Sequence, residues 1–273
     1  MSRKRKSHEQ GGQVTSGTES GKAGGDSGIP IRGDAQEGLA PLVSVVIPVY
    51  NEEALVFGSI VELVARMAEF DFPYEILVCE NGSRDKTREV AMALERKFPH
   101  VRLLHHPEPN YGAAMRMGIL EARGKFVICD EIDILDVGFY RRSLEALVFD
   151  QCDFVVGSKL HSQSQDKRPF LRHVASITIT TMLRLSLGFK GTDTHGLKAF
   201  HRERLLPVVH RCIVDKDLFA SEFVIRAERD QYRVIELPVE IVEKRKPAIN
   251  LFKRVPNVFK NLAKLFIAIR IKG

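Results

Sequence analysis

Three polar clusters, each placed just after an apolar run, are the parts of this chain best suited to chemistry. The carboxylates of Asp130-Glu-Ile-Asp133 follow Lys125-Phe-Val-Ile-Cys129, and like charges at that spacing are best accommodated by a divalent cation. Pro48-Val-Tyr-Asn-Glu-Glu53 and Glu80-Asn-Gly-Ser-Arg-Asp85 stand in the same relation to the runs before them. In an open, mostly parallel sheet the carboxyl ends of the strands share one edge, so the clusters should meet in one crevice there. Each also suits a plainer role. Asn51 could cap a helix with Glu52 and Glu53 complementing its dipole, Ser83 could cap a second helix after a glycine turn, and the acidic loop could be solvated with Ile132 and Ile134 turned inward. Recurrence at successive strand ends favours a ligand site.

The elements that must position these clusters are visible as alternating patterns. Leu42–Ile47 reads as a buried strand ended by Pro48, and Leu55, Ile60, Leu63, Val64 and Met67 then recur at helical spacing. Strands follow at Tyr74–Cys79, Val101–Leu104, Lys125–Cys129 and Phe154–Val156, with helices expected over 84–97 and 111–122. This alternation predicts crossover units and a Rossmann-like, mostly parallel α/β sheet flanked by helices. The second half is less regular. A helix is expected over His173–Leu187 with Gly188 ending it, a strand at Leu197–Phe200, a helix over 217–230, and a strand at Tyr232–Leu237 closed by Pro238.

Residues 1–38 hold nine of the 20 glycines and few apolar side chains, a composition that predicts a disordered tail. The globular domain is expected over 39–247 and a basic helix over 248–273. Beyond Glu243 there are nine Lys or Arg and no acid, so the formal charge of +6 arises there and directs attention to an anionic surface. Cys79, Cys129, Cys152 and Cys212 show no metal-ligand spacing and read as buried hydrophobes in a reducing compartment. No apolar run reaches the ~18 residues needed to span a bilayer, and Arg3–Lys6 leads into polar residues rather than a signal core, which points to the cytoplasm. Nucleic acid is not an expected partner.

In order and spacing, Tyr50-Asn-Glu52, Glu80-Asn-Gly-Ser83, Tyr111-Gly-Ala-Ala114, the carboxylate pair and Gly157-Ser-Lys159 resemble family 2 glycosyltransferases of the GT-A fold. The nearest branch contains dolichol-phosphate mannose synthase-like and polyprenyl-phosphate glycosyltransferases, and the resemblance covers about residues 42 to 255. It implies that Pro48, Tyr50, Glu52, Glu80 and Gly82 contact a UDP or GDP moiety, with Ser83, Gly112 and Lys159 completing the donor site. The family's Asp-x-Asp falls on Glu131-Ile-Asp133, which implies a Mg²⁺ or Mn²⁺ site with Glu in its first position. Asp193 and His195 occupy the acceptor segment, Glu222 a position that organises the acceptor, and Arg245 a place that closes over diphosphate, followed by Lys253 and Arg254.

The activity so implied is metal-dependent, inverting transfer of a hexose from a nucleotide sugar to a lipid-phosphate or glycan acceptor at the inner face of a membrane. A nucleotidyltransferase would need a Gly-rich basic loop after the first strand, and Pro48–Glu53 contains neither glycine nor base. A non-catalytic nucleotide-sugar-binding scaffold draws support from Glu131 standing where Asp is usual. In the tail, Phe252, Val255, Phe259, Leu262, Phe266 and Ile269 form one helical stripe, opposite Lys253, Asn257, Lys260, Asn261 and Lys264. That pattern fits either an anionic membrane surface or a terminal helix packed on the fold.

Overall fold

Apolar runs and amphipathic stretches alternate in the computed structural model as crossover units require. The structure describes residues 40–158, 181–239 and 255–272. The tail over 1–38, Lys159, Arg245, Lys253 and Arg254 lie outside the described residues. Strands β1 (Val43–Val49), β2 (Tyr74–Asn81), β3 (Val101–His106), β4 (Phe126–Cys129), β5 (Phe154–Ser158), β6 (Lys198–His201) and β7 (Val234–Pro238) form one sheet in the order β3-β2-β1-β4-β6-β5-β7. All neighbours pair in parallel except β6, which runs antiparallel to both β4 and β5. Every residue of β1 and β2 is buried, as expected of strands covered on both faces.

Helices α1 (Val56–Met67), α2 (Thr87–Lys97), α3 (Tyr111–Glu121) and α4 (Val137–Val148) connect the first five strands. Helical residues 181–187 (α5), α6 (Arg202–Arg211) and α7 (Phe219–Arg229) follow, then α8 (Val255–Phe266) with a π-helical end over Ile267–Ile271. Helices α4 and α6 are not anticipated from the pattern above, although Phe139, Tyr140, Leu144 and Leu147 mark the buried face of α4 and Asp136 caps it through Phe139 N at 2.8 Å. Pro207 lies inside α6 and obscures its signal. Gly188 ends α5 with a φ of +72°.

Two expectations about β1 and α1 are corrected. Asn51 does not cap α1, which starts at Val56 after Leu55 without a side-chain cap. Nor does β1 end at Pro48, whose Cα partner is Cys79. Val46 O accepts from Asp130 N on the β4 side, and Pro48, two residues on, faces the same way. There β4 has already ended, so the missing N–H of proline costs no ladder bond.

Candidate active site

The strand order reverses between β1 and β4, since the chain moves outward to β3 on one side and to β6, β5 and β7 on the other. A crevice opens at the carboxyl ends of strands at such a reversal. The Pro48–Glu53 and Asp130–Asp133 clusters flank it, with the Glu80 cluster one strand further out. Because β6 is antiparallel, its beginning also lies on this edge, with Lys198 opposite Cys129.

The first two loops brace one another. Asn51 N donates to Ser83 Oγ at 3.0 Å, Arg84 N to Asn51 Oδ1 at 2.8 Å, Glu52 N to Thr87 Oγ1 at 2.6 Å, and Lys86 N to Glu53 Oε2 at 2.9 Å. Asn51 and Ser83 therefore tie loops together instead of capping helices. Gly82 has a φ of +66°, and a Cβ there would stand 2.8 Å from Pro107 O, so the turn demands glycine on both counts. Glu80 is 1% exposed: Oε1 accepts from Ser83 N and Oε2 meets His105 Nδ1, each at 2.5 Å. Its carboxylate thus points inward, and the groups presented to the crevice are His105, with a side chain 34% exposed, and Tyr50, at 38%. The sequence reading missed His105, because only the pairing of β2 with β3 brings it to Glu80.

In the acidic cluster the carboxylates divide by role. Asp130 is buried, accepting from Tyr140 Oη and Glu131 N at 2.6 Å each, and burial pushes its carboxyl up to about 7 against those two bonds. Asp136 serves as the cap of α4. Glu131 and Asp133 are half-buried. The Tyr111 phenol, at the start of α3, is raised well above its usual range by burial and then by the charges of Glu131, Cys129, Asp130 and Asp133 nearby. Ile132 turns inward as expected, whereas Ile134 is only half-buried.

Among the described residues, no group of three or more His, Cys, Asp or Glu is arranged to hold a metal. Two half-buried carboxylates nevertheless fit a small hard cation, which keeps water and takes its remaining oxygens from substrate phosphates. Gly112 is buried for another reason than ligand approach: a Cβ there would lie 2.8 Å from both Lys216 N and Phe219 Cβ, so α3 packs its first turn on the start of α7.

In the segment expected to meet the acceptor, Asp193 is half-buried and its Oδ1 accepts from His195 N at 2.8 Å, forming a turn that leaves His195 exposed. Glu236 of β7, missed by the sequence reading, holds this segment by accepting from Thr192 N at 2.5 Å and Thr192 Oγ1 at 2.6 Å. Lys198 is 1% exposed and donates to Gly196 O at 2.7 Å. A charge within a short apolar run, Leu197-Lys-Ala-Phe200 or Val234-Ile-Glu-Leu237, was the available signal for both. Glu222 is corrected: it is 0% exposed, its Oε2 accepts from Ile213 N and Val214 N and its Oε1 from Arg226 Nε, all at 2.8 Å. A carboxylate so enclosed joins the 211–215 turn to α7 and does not reach an acceptor.

Comparison with known proteins follows this geometry. Glycosyl transferase family 2 matches residues 44–206. Dolichyl-phosphate beta-glucosyltransferase ALG5A of Trichomonas vaginalis is 30% identical over 211 residues, covering 72% of this chain and 65% of the relative. The Dictyostelium discoideum dolichyl-phosphate beta-glucosyltransferase is 26% identical over 221 residues, covering 74% and 66%. The chain thus matches just under two thirds of the length of these relatives. Glucosyl-3-phosphoglycerate synthase from Mycobacterium tuberculosis, crystallised with Mn²⁺, UDP and glucosyl-3-phosphoglycerate, superposes with a TM-score of 0.60 at 16% identity, covering 84% of this chain and 79% of that one. That likeness establishes the GT-A-like fold, and the family match over most of the sheet leads to one assignment: this chain belongs to glycosyl transferase family 2.

Proposed function

We propose that this chain transfers glucose from UDP-glucose to a polyprenyl phosphate at a membrane surface, with inversion at the anomeric carbon and with Mg²⁺ or Mn²⁺. The observation that carries the proposal is the convergence, at the strand-order reversal, of the braced Tyr50–Glu80–His105 wall with the half-buried Glu131 and Asp133. The names of the dolichyl-phosphate relatives support the acceptor and the sugar, and the ligands of the mycobacterial synthase support UDP and the cation.

In this arrangement the uracil lies against Tyr50 and His105, with Glu80 fixing the His105 ring through Nδ1. Glu131 and Asp133 would hold the cation, which when bound supplies neutralisation of charge on the departing diphosphate. Tyr111, close enough to feel the charge of the same cluster, would orient the diphosphate by a hydrogen bond from its phenol. The Asp193 turn and Glu236 shape the opposite wall, where a phosphate oxygen of the acceptor approaches the anomeric carbon from the face away from UDP. The new carbon–oxygen bond forms as the bond to the UDP oxygen breaks, and UDP leaves with that electron pair. An acceptor that is already an anion has no proton to lose, so no general base is required.

The test is transfer of labelled glucose from UDP-glucose to polyprenyl phosphate with Mn²⁺, with Asp133→Asn beside the native chain. Turnover that depends on metal and acceptor, and is lost in Asp133→Asn without a fall in melting temperature, is the expected result. Full metal-dependent transfer by Asp133→Asn would remove the cation from this site, and donor binding without turnover would favour a scaffold.

A further inference from the structure

A second site lies at the far end of α7. A cavity of about 390 Å³ opens between the turn after α5, the end of α7 and the π-helical C-terminal segment. Lys190, Arg226, Arg229 and Arg270 line it. The acids of its wall are already engaged: Glu228 Oε2 accepts from Lys190 N at 2.9 Å, and Asp230 pairs with Arg211. Arg226 is 5% exposed and is fixed by Nε to Glu222 and by Nη2 to Ala268 O at 2.9 Å. Arg226 belongs to the cavity wall, and these two bonds leave its Nη1 outside them. An arginine held rigidly with an amino group outside those bonds is suited to a phosphate oxygen.

The surroundings identify which phosphate. Leu185 and Ile271, at 83% and 70% the most exposed large apolar side chains of the described residues, stand two residues from Leu187 and one from Arg270 of the cavity wall. Ile267 adds a further exposed apolar group at 44% on the same segment. Water-exposed aliphatic side chains on two of the segments that line a cationic cavity complement a bilayer, whose headgroups are anionic and whose acyl region is apolar. We propose that this cavity takes the phosphate headgroup of an anionic phospholipid while Leu185 and Ile271 enter the membrane. The proposal rests on the lipid-phosphate acceptor assigned above and adds the place of attachment. Gly188–Asp193 runs from this cavity to the acceptor wall, so attachment here holds that wall near the lipid surface.

Lys190 and Arg270 are exposed, and the Lys190 ammonium meets the Glu228 carboxylate only through its charge, so removing both side chains spares the packed core. Co-sedimentation with vesicles of phosphatidylcholine and phosphatidylglycerol should show a partition coefficient about thirtyfold lower for Lys190→Ala with Arg270→Ala than for the native chain. Lys260→Ala with Lys264→Ala, exposed on α8 outside the cavity, should lose much less. Leu185→Ser with Ile271→Ser should weaken binding while keeping its salt dependence. UDP binding should be unchanged throughout. If the native chain ignores anionic vesicles, the membrane reading and this site both fall. If it binds them and Lys190→Ala with Arg270→Ala binds equally, or loses no more than Lys260→Ala with Lys264→Ala, this site alone falls. Loss of inorganic phosphate binding in that variant with vesicle binding intact would assign the cavity to a soluble anion and overturn the proposal.

Discussion

Glu222 is the residue whose role depends most on where its carboxylate goes. In Glu222→Ala, Arg226 would be left as a buried, unpaired cation and the N–H groups of Ile213 and Val214 would lose their acceptor. Breaking a buried ion pair by removing one partner costs about 3–5 kcal/mol, and the orphaned N–H groups overlap with that cost because water enters the same space. A loss of about 4 kcal/mol lowers the melting temperature of a chain this size by about 12 °C. Glu222→Gln keeps the shape and one carbonyl oxygen but turns an amide toward either Arg226 or the two backbone donors, for a loss of about 2 kcal/mol. Adding Arg226→Met should recover part of the Gln loss, since the buried cation then disappears. Thermal melts of the four proteins, with transfer rates at saturating donor and acceptor well below each melting point, decide the matter. The rates should stay within about threefold of native. A Glu222→Gln chain that melts like the native one yet has lost its turnover would return this carboxylate to the reacting centre.

Asp130 makes the stability of the metal-free chain fall as pH rises. Its carboxyl titrates near 4 when unfolded and at about 7 when folded, so between those values the folded chain holds the extra proton and each step upward favours unfolding. The ceiling on this effect is roughly 4 kcal/mol between about pH 4 and 8. Melts in chelator should show the slope for the native chain and a much flatter line for Asp130→Asn, and equal slopes would place the titration elsewhere. Gly82→Ala should cost about 2–4 kcal/mol because the left-handed turn and Pro107 O both exclude a Cβ. An unchanged melt with weaker UDP binding would mean that the glycine serves ligand approach instead.

The sheet was legible because buried parallel strands announce themselves as apolar runs at regular intervals. Five strands of the first half were placed to within two residues, since runs of Val, Ile, Leu and Cys there are interrupted by at most one polar residue before the strand end. The expected stripe on α8 failed by one position. Leu265 is 3% exposed and Phe266 is 40%, and a period near 3.6 admits either of two adjacent apolar residues between Leu262 and Ile269. Only the docking surface chooses, and that surface includes Arg226, distant in sequence and bonded to Ala268 O.

The site was legible in its location and less so in its roles, for one physical reason that recurs. Residue type and strand position bring a carboxylate to the crevice, but neither says whether nearby donors will capture it. Glu80 is captured by Ser83 N and His105, Asp130 by Tyr140 and Glu131 N, and Glu222 by Ile213 N, Val214 N and Arg226. In each case the captured group is at most 1% exposed, and for Glu80 and Asp130 what faces the crevice is something it holds. A buried carboxylate must be satisfied, so the strand end that looks most reactive in sequence is often the one that organises its neighbours. Glu131 and Asp133 follow the end of β4 on a loop and stay half-buried, while Asp130 before them accepts from Glu131 N and Asp136 after them accepts from Phe139 N. The departure from Asp to Glu at position 131 keeps a carboxylate at each end of the proposed cation pair, both half-buried at the sheet's reversal, with the Tyr111 phenol near enough to feel their charge.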